Sequence, residues 1–170
     1  HLYYIRVGLE GWSGKSMGTY AALNPAYRRW IVKMIGKGRK ILSLGCGYGE
    51  LEIELQEAGN EVVGIDVVPQ MVEKAKEAGL REVLVADAHN LPPQFKQREF
   101  DIVFFSESIG NTDMPRVLRE VWEALTDDGK IIITTYPPSP ENRKTKYLYR
   151  PITQEHLEKI VRDAGYEILT

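Results

Sequence analysis

From residue 41 onward, short apolar runs alternate with stretches whose apolar positions recur every three or four residues. The runs are Ile41-Leu42-Ser43-Leu44, Glu61-Val62-Val63-Gly64-Ile65-Asp66, Glu82-Val83-Leu84-Val85-Ala86 and Asp101-Ile102-Val103-Phe104-Phe105. Near-continuous apolar runs of this length suit strands buried on both faces. The intervening stretches carry helix punctuation. Pro69 opens one in which Met71, Val72, Ala75 and Ala78 face inward, and Gly79 ends it. Asp113 and Pro115 open a second, whose Val117, Leu118, Val121, Trp122 and Leu125 form one stripe that Asp127-Asp128-Gly129 stops. Trp122 is therefore expected in the core. Thr153 caps a third helix, burying Leu157, Ile160, Val161 and Ala164, before Gly165 releases the chain into Tyr166-Glu167-Ile168-Leu169. The alternation predicts an α/β fold with a doubly wound, mostly parallel sheet and helices on both faces.

Chemistry concentrates where the strands end. The first strand breaks into Gly45-Cys46-Gly47-Tyr48-Gly49, a turn in which bare backbone can take positive φ and let a ligand approach closely. A dinucleotide fingerprint would need glycine where Glu50 stands, and Glu50, Glu52 and Glu54 suit a helix dipole but repel a pyrophosphate. A nucleoside cofactor without phosphate fits better. Asp66 closes the second strand at the spacing expected of a ribose-binding acid. Asp87-Ala88 follows the third strand and Ser106-Glu107-Ser108 the fourth, so polar residues recur at one edge of the sheet.

These segments together resemble the class I S-adenosylmethionine-dependent methyltransferases, a Rossmann-like family, over roughly residues 38 to 170. The resemblance rests on ILSLGCGYGE, VVGIDVVPQMVEKAKE, VLVADAHNLP, FDIVFFSESI and LREVWEALTDDGKIIITT. It implies that Gly45 and Gly47 line the methionine part of the cofactor, with Ser43 and Cys46 in the same motif. It further implies that Asp66 holds the ribose, that Val67 packs on the adenine and that Asp87 accepts from the adenine amino group. The Ala88 backbone would meet the ring, and Ser106 would lie by the methionine end. Ser43 departs from the family pattern, which places an acid two residues before the first glycine. A charge that would help hold the cofactor's ammonium is thus missing, and Glu107 or a turn carbonyl is a candidate substitute. Family members also continue into a further strand beside the last one, so either the chain is shortened or the early strand from Leu2 to Val7 fills that gap.

Composition narrows the setting. At 170 residues and 43% hydrophobic, the chain can bury one ordinary core, and no apolar run approaches the ~20 residues that span a bilayer. It divides into an N-terminal strand and helix extension over 1–37, either a cofactor flap carrying Trp12 and Tyr20 or part of the core, and a cofactor-binding core over 38–170. His1 at the start points to a processed or shortened chain. No secretory signal is present, so a cytoplasmic location is expected. The lone Cys46 cannot form an internal disulfide, and its place in the turn reflects a need for a small side chain.

Charge is uneven: residues 1–40 carry a net +7 and residues 41–170 a net −9. Arg28, Arg29, Lys33, Lys37, Arg39 and Lys40 read either as a solvated helix face or as a contact for RNA or an acidic substrate, and no RNA-binding motif supports the latter. The loop from Tyr136 to Pro151, with Arg143, Lys144, Lys146, Tyr147, Tyr149 and Arg150, follows the fifth strand and is either a substrate cover or an ordinary loop. Gly8 to Ser16 ends in Gly-Lys-Ser, yet five residues separate its outer glycines where a phosphate loop needs four.

The resulting expectation is an enzyme that transfers the methyl of S-adenosylmethionine, leaving S-adenosylhomocysteine, to an unidentified small-molecule acceptor. No metal is needed for such an in-line displacement. Glu107 is the weak candidate for a base, and His89 a weaker one. A noncatalytic cofactor-binding module and an NAD-dependent oxidoreductase are the alternatives.

Overall fold

A computed structural model describes residues 3–6 by their backbone and residues 25–135 and 152–169 in full. Trp12, Tyr20, the run from Gly8 to Ser16 and the loop from Tyr136 to Pro151 lie outside the described residues. In chain order the elements are β1 (Tyr3–Arg6), α1 (Pro25–Ile35), β2 (Lys40–Leu44), α2 (Glu50–Glu57), β3 (Glu61–Asp66) and α3 (Pro69–Ala78). There follow β4 (Glu82–Val85), β5 (Phe100–Ser106), α4 (Met114–Glu120), β6 (Leu125–Thr134), α5 (Gln154–Asp163) and β7 (Glu167–Leu169).

The strands form one seven-stranded sheet in the order β4-β3-β2-β5-β6-β1-β7, and every pairing is parallel. From β2 the chain steps outward through β3 to β4, then returns to the other side of β2 for β5. The strand order thus reverses between β2 and β5, where open parallel sheets place their ligands. The early strand does fill the gap near the end of the sheet: β1 lies between β6 and β7, Tyr4 opposite Ile131 on one side and Ile168 on the other.

Strand alternation sends successive side chains to opposite faces. Leu42, Leu44, Val103, Phe105, Ile131 and Ile133 pack with Val117 and Leu118 of α4 and Leu157 and Val161 of α5. Ile41, Ile102, Phe104 and Ile132 pack on the opposite face with Ile31 of α1, Leu51 and Leu55 of α2, and Val72 and Ala75 of α3. Two covered faces explain why the central strands read as unbroken apolar runs.

Three expectations are corrected. The stripe from Val117 does not continue as helix to Leu125: α4 ends at Glu120, a single 3-10 turn covers Val121–Glu123, and Leu125 is the first paired residue of β6. Residues 126–129 bulge out of that strand, since Leu125 pairs with Phe100 and Lys130 with Ile102. The Asp-Asp-Gly turn is therefore a bulge rather than a helix stop. Trp122, on the outside of the 3-10 turn, is 36% exposed and lies edge-on to Tyr166 at 5.2 Å rather than in the core. In α3 the buried residues are Val72 and Ala75 alone, Ala78 being exposed at the C-terminal turn.

Asn60 joins the loops opposite the ligand edge. Its Oδ1 accepts from the Arg39 N–H at 2.9 Å, while Nδ2 donates to the carbonyls of Gly36 and Leu55, both at 2.9 Å. At 5% exposure, water cannot replace these partners. Replacing Asn60→Ala should therefore lower unfolding stability by about 1–3 kcal/mol in denaturant titrations, because the Arg39 N–H and the Gly36 carbonyl lose their side-chain partner while the Leu55 carbonyl keeps only the backbone N–H of residue 60.

Candidate functional site at the ligand edge of the sheet

Where β2 ends, Gly45, Gly47 and Gly49 take φ of 75°, 57° and 76°, a left-handed conformation that side chains resist. The three differ in what surrounds them. A Cβ at Gly45 would stand 2.6 Å from Ser108 Cβ, and one at Gly49 would stand 3.2 Å from both Ala75 and Leu80. These two positions are tight because the protein itself packs there. Among the described residues the only atom within 4 Å of such a Cβ at Gly47 is Met71 Sδ, at 4.0 Å, so these residues leave the bare backbone open.

The turn is fixed from β3. The N–H groups of Gly45 and Cys46 both donate to the Ile65 carbonyl, at 2.8 and 3.1 Å, and the Gly47 N–H donates to Asp66 Oδ2 at 2.9 Å. Asp66 Oδ1 accepts from the Val68 N–H at 2.9 Å, which orients the carboxylate from both sides. Two bonds leave acceptor capacity on a carboxylate, which has about four lone-pair directions. Beyond it, Val67 is 61% exposed, Val85 53% and Tyr48 44%, an apolar rim at the carboxyl ends of β2 to β4.

Cys46 points away from this opening. It is 8% exposed and packs in the cluster with Leu51, Val72 and Leu80, and a Cβ at Gly64 would lie 2.9 Å from its Sγ. Burial pushes its thiol pKa up, with the charges of Glu52 and Asp66 adding to the effect. A small side chain is indeed what this position accommodates.

Asp87 is more exposed and tied locally. Its Oδ1 accepts from the His89 N–H at 2.9 Å and pairs with His89 Nδ1 at 2.7 Å. The backbone N–H leads in holding its carboxyl below the usual range. His89 Nε2 in turn accepts from the Asp113 N–H at 2.9 Å, which puts the ring proton on Nδ1. His89 is a clamp between the β4 loop and the start of α4, with both nitrogens engaged. Ala88, next in the same loop, packs against the larger apolar cluster.

A buried polar layer lies on the α1–α2 face, where alternation places Ser43, Ser106 and Thr134. Tyr27 of α1, 6% exposed, donates from its hydroxyl to Thr134 Oγ1 at 2.7 Å. Ser106 Oγ is buried without a hydrogen-bond partner among the described residues. Glu107 follows with φ of 59°, unusual for a residue with a side chain, and its N–H donates to the Thr134 carbonyl at 3.0 Å. Its carboxylate is 6% exposed and raises the pKa of the Tyr27 hydroxyl, secondarily to burial.

Sequence reasoning missed Glu52. It had been grouped with Glu50 and Glu54 as a partner of the helix dipole, yet it is 2% exposed and accepts from the Ser43 hydroxyl at 2.6 Å. Burial pushes its carboxyl up to about 7, the Ser43 bond opposing this and the charges of Glu50 and Asp66 reinforcing it. The available signal was phase: Glu52 lies three residues before Leu55 and one after Leu51, both fully buried. Arg28, on the basic helix, pairs with Glu54 at 2.6 Å, and Lys40 with Glu99 at 2.7 Å and Glu61 at 3.1 Å. Those two cations serve internal contacts.

Residues 42–133 match the family model described as "Methyltransferase domain". An uncharacterized protein of Methanocaldococcus jannaschii is 37% identical over 63% of this chain and 41% of its own length. The demethylmenaquinone methyltransferase of Deinococcus radiodurans is 33% identical over 59% and 44% respectively. A solved structure from Thermotoga maritima, described as a SAM-dependent methyltransferase and possible histamine N-methyltransferase, superposes with a TM-score of 0.71. It is 26% identical over 87% of this chain and 72% of its own. The chain thus spans less than half the length of the two curated relatives. No helix among the described residues is long and apolar enough to cross a membrane.

Glu52 also sets a pH dependence. Its folded-state pKa, about 7, exceeds the ordinary carboxylate value, so the folded protein binds the proton more tightly and this contribution is complete below ~4.3. It is lost as pH rises through about 7. Relative to Glu52→Gln, the wild-type protein should lose about 3 kcal/mol of unfolding stability between pH 4 and pH 8, measured by urea titration at each pH.

Proposed function

This chain belongs to the class I S-adenosylmethionine-dependent methyltransferase family, and from that premise we propose that it transfers a methyl group from S-adenosylmethionine to a small-molecule acceptor. The observation that carries the reading is the open backbone at Gly47 beside the Asp66 carboxylate, at the point where the strand order reverses. A cofactor of this shape fits the residues present. Gly47 offers a surface that any side chain would fill, and Ser106 offers a buried hydroxyl in want of a partner.

In this assignment Gly45 and Gly47 line the methionine part, with Ser43 and Cys46 supporting the turn from beneath. Asp66 accepts from the ribose hydroxyls through the capacity its two backbone bonds leave. Val67, exposed beside it, covers one face of the adenine, while Asp87 accepts from the amino group and the Ala88 backbone meets the ring edge. Ser106 bonds the methionine end. When bound, the cofactor supplies an electrophilic methyl group on a sulfonium. The protein's part is to align the acceptor behind that methyl and keep water away.

Glu107 is the residue to receive a proton where the accepting atom carries one. Its carboxylate ends β5 on the edge that bears the glycine turn, and its left-handed backbone is the kind of strain that persists where geometry is imposed. A small acceptor is supported by the likeness to the Deinococcus demethylmenaquinone methyltransferase. The noncatalytic alternative is separated by turnover.

Calorimetry with S-adenosylmethionine, S-adenosylhomocysteine and NAD tests the assignment. The first two should bind and NAD should not; binding of NAD alone overturns it. Asp66→Ala should weaken S-adenosylmethionine binding by about 1–3 kcal/mol through lost hydrogen bonds, and an unchanged affinity would remove Asp66 from the ribose site. Transfer of labelled methyl to a panel of quinol, phenol and amine acceptors reads the activity. Tight cofactor binding without turnover on any acceptor would favour a binding module.

A further inference from the structure

Glu52 presents an electrostatic problem that the fold alone does not solve. It is a carboxylate at 2% exposure, set behind the glycine turn, and none of the described cations pairs with it. Among the described residues its one side-chain hydrogen-bond partner is the Ser43 hydroxyl, at 2.6 Å. The groups around it come from every neighbouring element. Glu50 on its own helix and Asp66 at the end of β3 are acids, and Tyr27 of α1 and Cys46 of the turn are held neutral by burial. An apolar residue or Gln would fill the position without the penalty of a buried charge. The arrangement becomes favourable when a positive charge arrives from the ligand side.

Resting on the cofactor assignment above, we propose that Glu52 is the positioning residue that answers the cofactor's positive charge, acting from α2 through the glycine turn. It makes the site prefer the sulfonium-bearing donor over its uncharged thioether product. The carboxylate stands on the helix and the hydroxyl on the strand, across one hydrogen bond, so Ser43 orients Glu52. Near its folded-state pKa of about 7, Glu52 is partly protonated in the free protein. Arrival of the cation favours the ionised form, and the proton passes to solvent as the cofactor binds.

The donor and the product share the same amino-acid and adenosine parts, and the amine titration that differs between them, because the sulfonium lowers the donor's ammonium pKa, is removed by reading the wild-type ratio against that of Glu52→Gln at each pH. Calorimetry from pH 6 to pH 8, in buffers of different ionisation enthalpy, should show the wild-type ratio of donor to product affinity rising about tenfold with pH, with a fraction of a proton released on donor binding. Glu52→Gln, which keeps an oxygen for Ser43, should lower that ratio about tenfold at pH 8 and flatten its pH dependence, while product affinity stays within about twofold. The exchanged pair Ser43→Asp with Glu52→Ser moves the acid across the same hydrogen bond and should restore the preference. A Glu52→Gln protein that loses donor and product equally, or keeps the wild-type ratio and slope, overturns the proposal. Should that variant fail to fold, an exchanged pair that binds the product but shows no donor preference overturns it as well. A wild-type protein that binds neither ligand instead defeats the cofactor assignment itself, and this inference with it.

Discussion

One carboxylate holds the ligand edge together. Asp66 ends β3, and its two oxygens accept from Gly47 in the turn after β2 and from Val68 at the start of α3. The strand before it contributes the Ile65 carbonyl to two further turn amides. A glycine-rich turn has more conformational freedom to lose on folding than any other backbone, so its shape has to be imposed from outside. Here the imposition comes from the neighbouring strand. The acid that the proposal assigns to a ribose is also the acid that shapes the turn, and the two tasks are compatible because a carboxylate can accept more bonds than the backbone asks of it.

The sheet makes this possible through simple alternation. Below the ligand edge, both faces of β2, β5 and β6 are apolar and covered by helices. At the edge, the same alternation turns Ser43, Ser106 and Thr134 toward the face of α1 and α2, giving polar residues on one side of a core that is otherwise closed to water. Polar groups in such a place need partners, and most find them: Ser43 bonds Glu52, and Thr134 bonds Tyr27. The exception among the described hydroxyls, Ser106, lies where the strand order reverses. The packing of the core and the chemistry of the edge are therefore consequences of one pattern.

Much of this was legible beforehand where local signals agreed. The strands at 41, 61, 82 and 101 had apolar runs and turn residues on both sides, and Pro69, Asp113 and Thr153 mark helix starts in the structure as they do in the sequence. Legibility failed where tertiary contacts override periodicity. Leu125 falls in phase with the helical stripe, yet pairing with Phe100 draws it into a strand, and the residues after it bulge to restore register. Trp122 looked like core because size and phase both said so, but the 3-10 turn rotates it outward against Tyr166. Glu52 was harder still: three acids in five residues read as a solvated helix start, and its phase with Leu55 was the local sign of the burial that the Ser43 bond completes. The place of β1 beside β7 was one of two readings the sequence left open, and parallel pairing between segments more than a hundred residues apart decides it.

The N-terminal elements are accordingly part of the site's construction. β1 occupies a full place in the sheet, and α1 covers Ile41, Leu51 and Leu55 with Ile31 and Ile35. Tyr27 then reaches across to Thr134 at the carboxyl end of β6, beside the Glu107 backbone that bonds the same threonine's carbonyl. That chain of contacts links α1 to the one residue at this edge with a strained, left-handed backbone and a buried carboxylate. A change in the seating of α1 would move Tyr27 and, through Thr134, reach Glu107. In the proposed assignment the cofactor side of the edge is fixed by β2 and β3, and Glu107, the residue assigned to an acceptor's proton, is reached from α1. The two sides are coupled through Ser108, which follows Glu107, packs on Gly45 and donates to the Leu44 carbonyl, so a shift that starts at α1 is passed on toward the glycine turn.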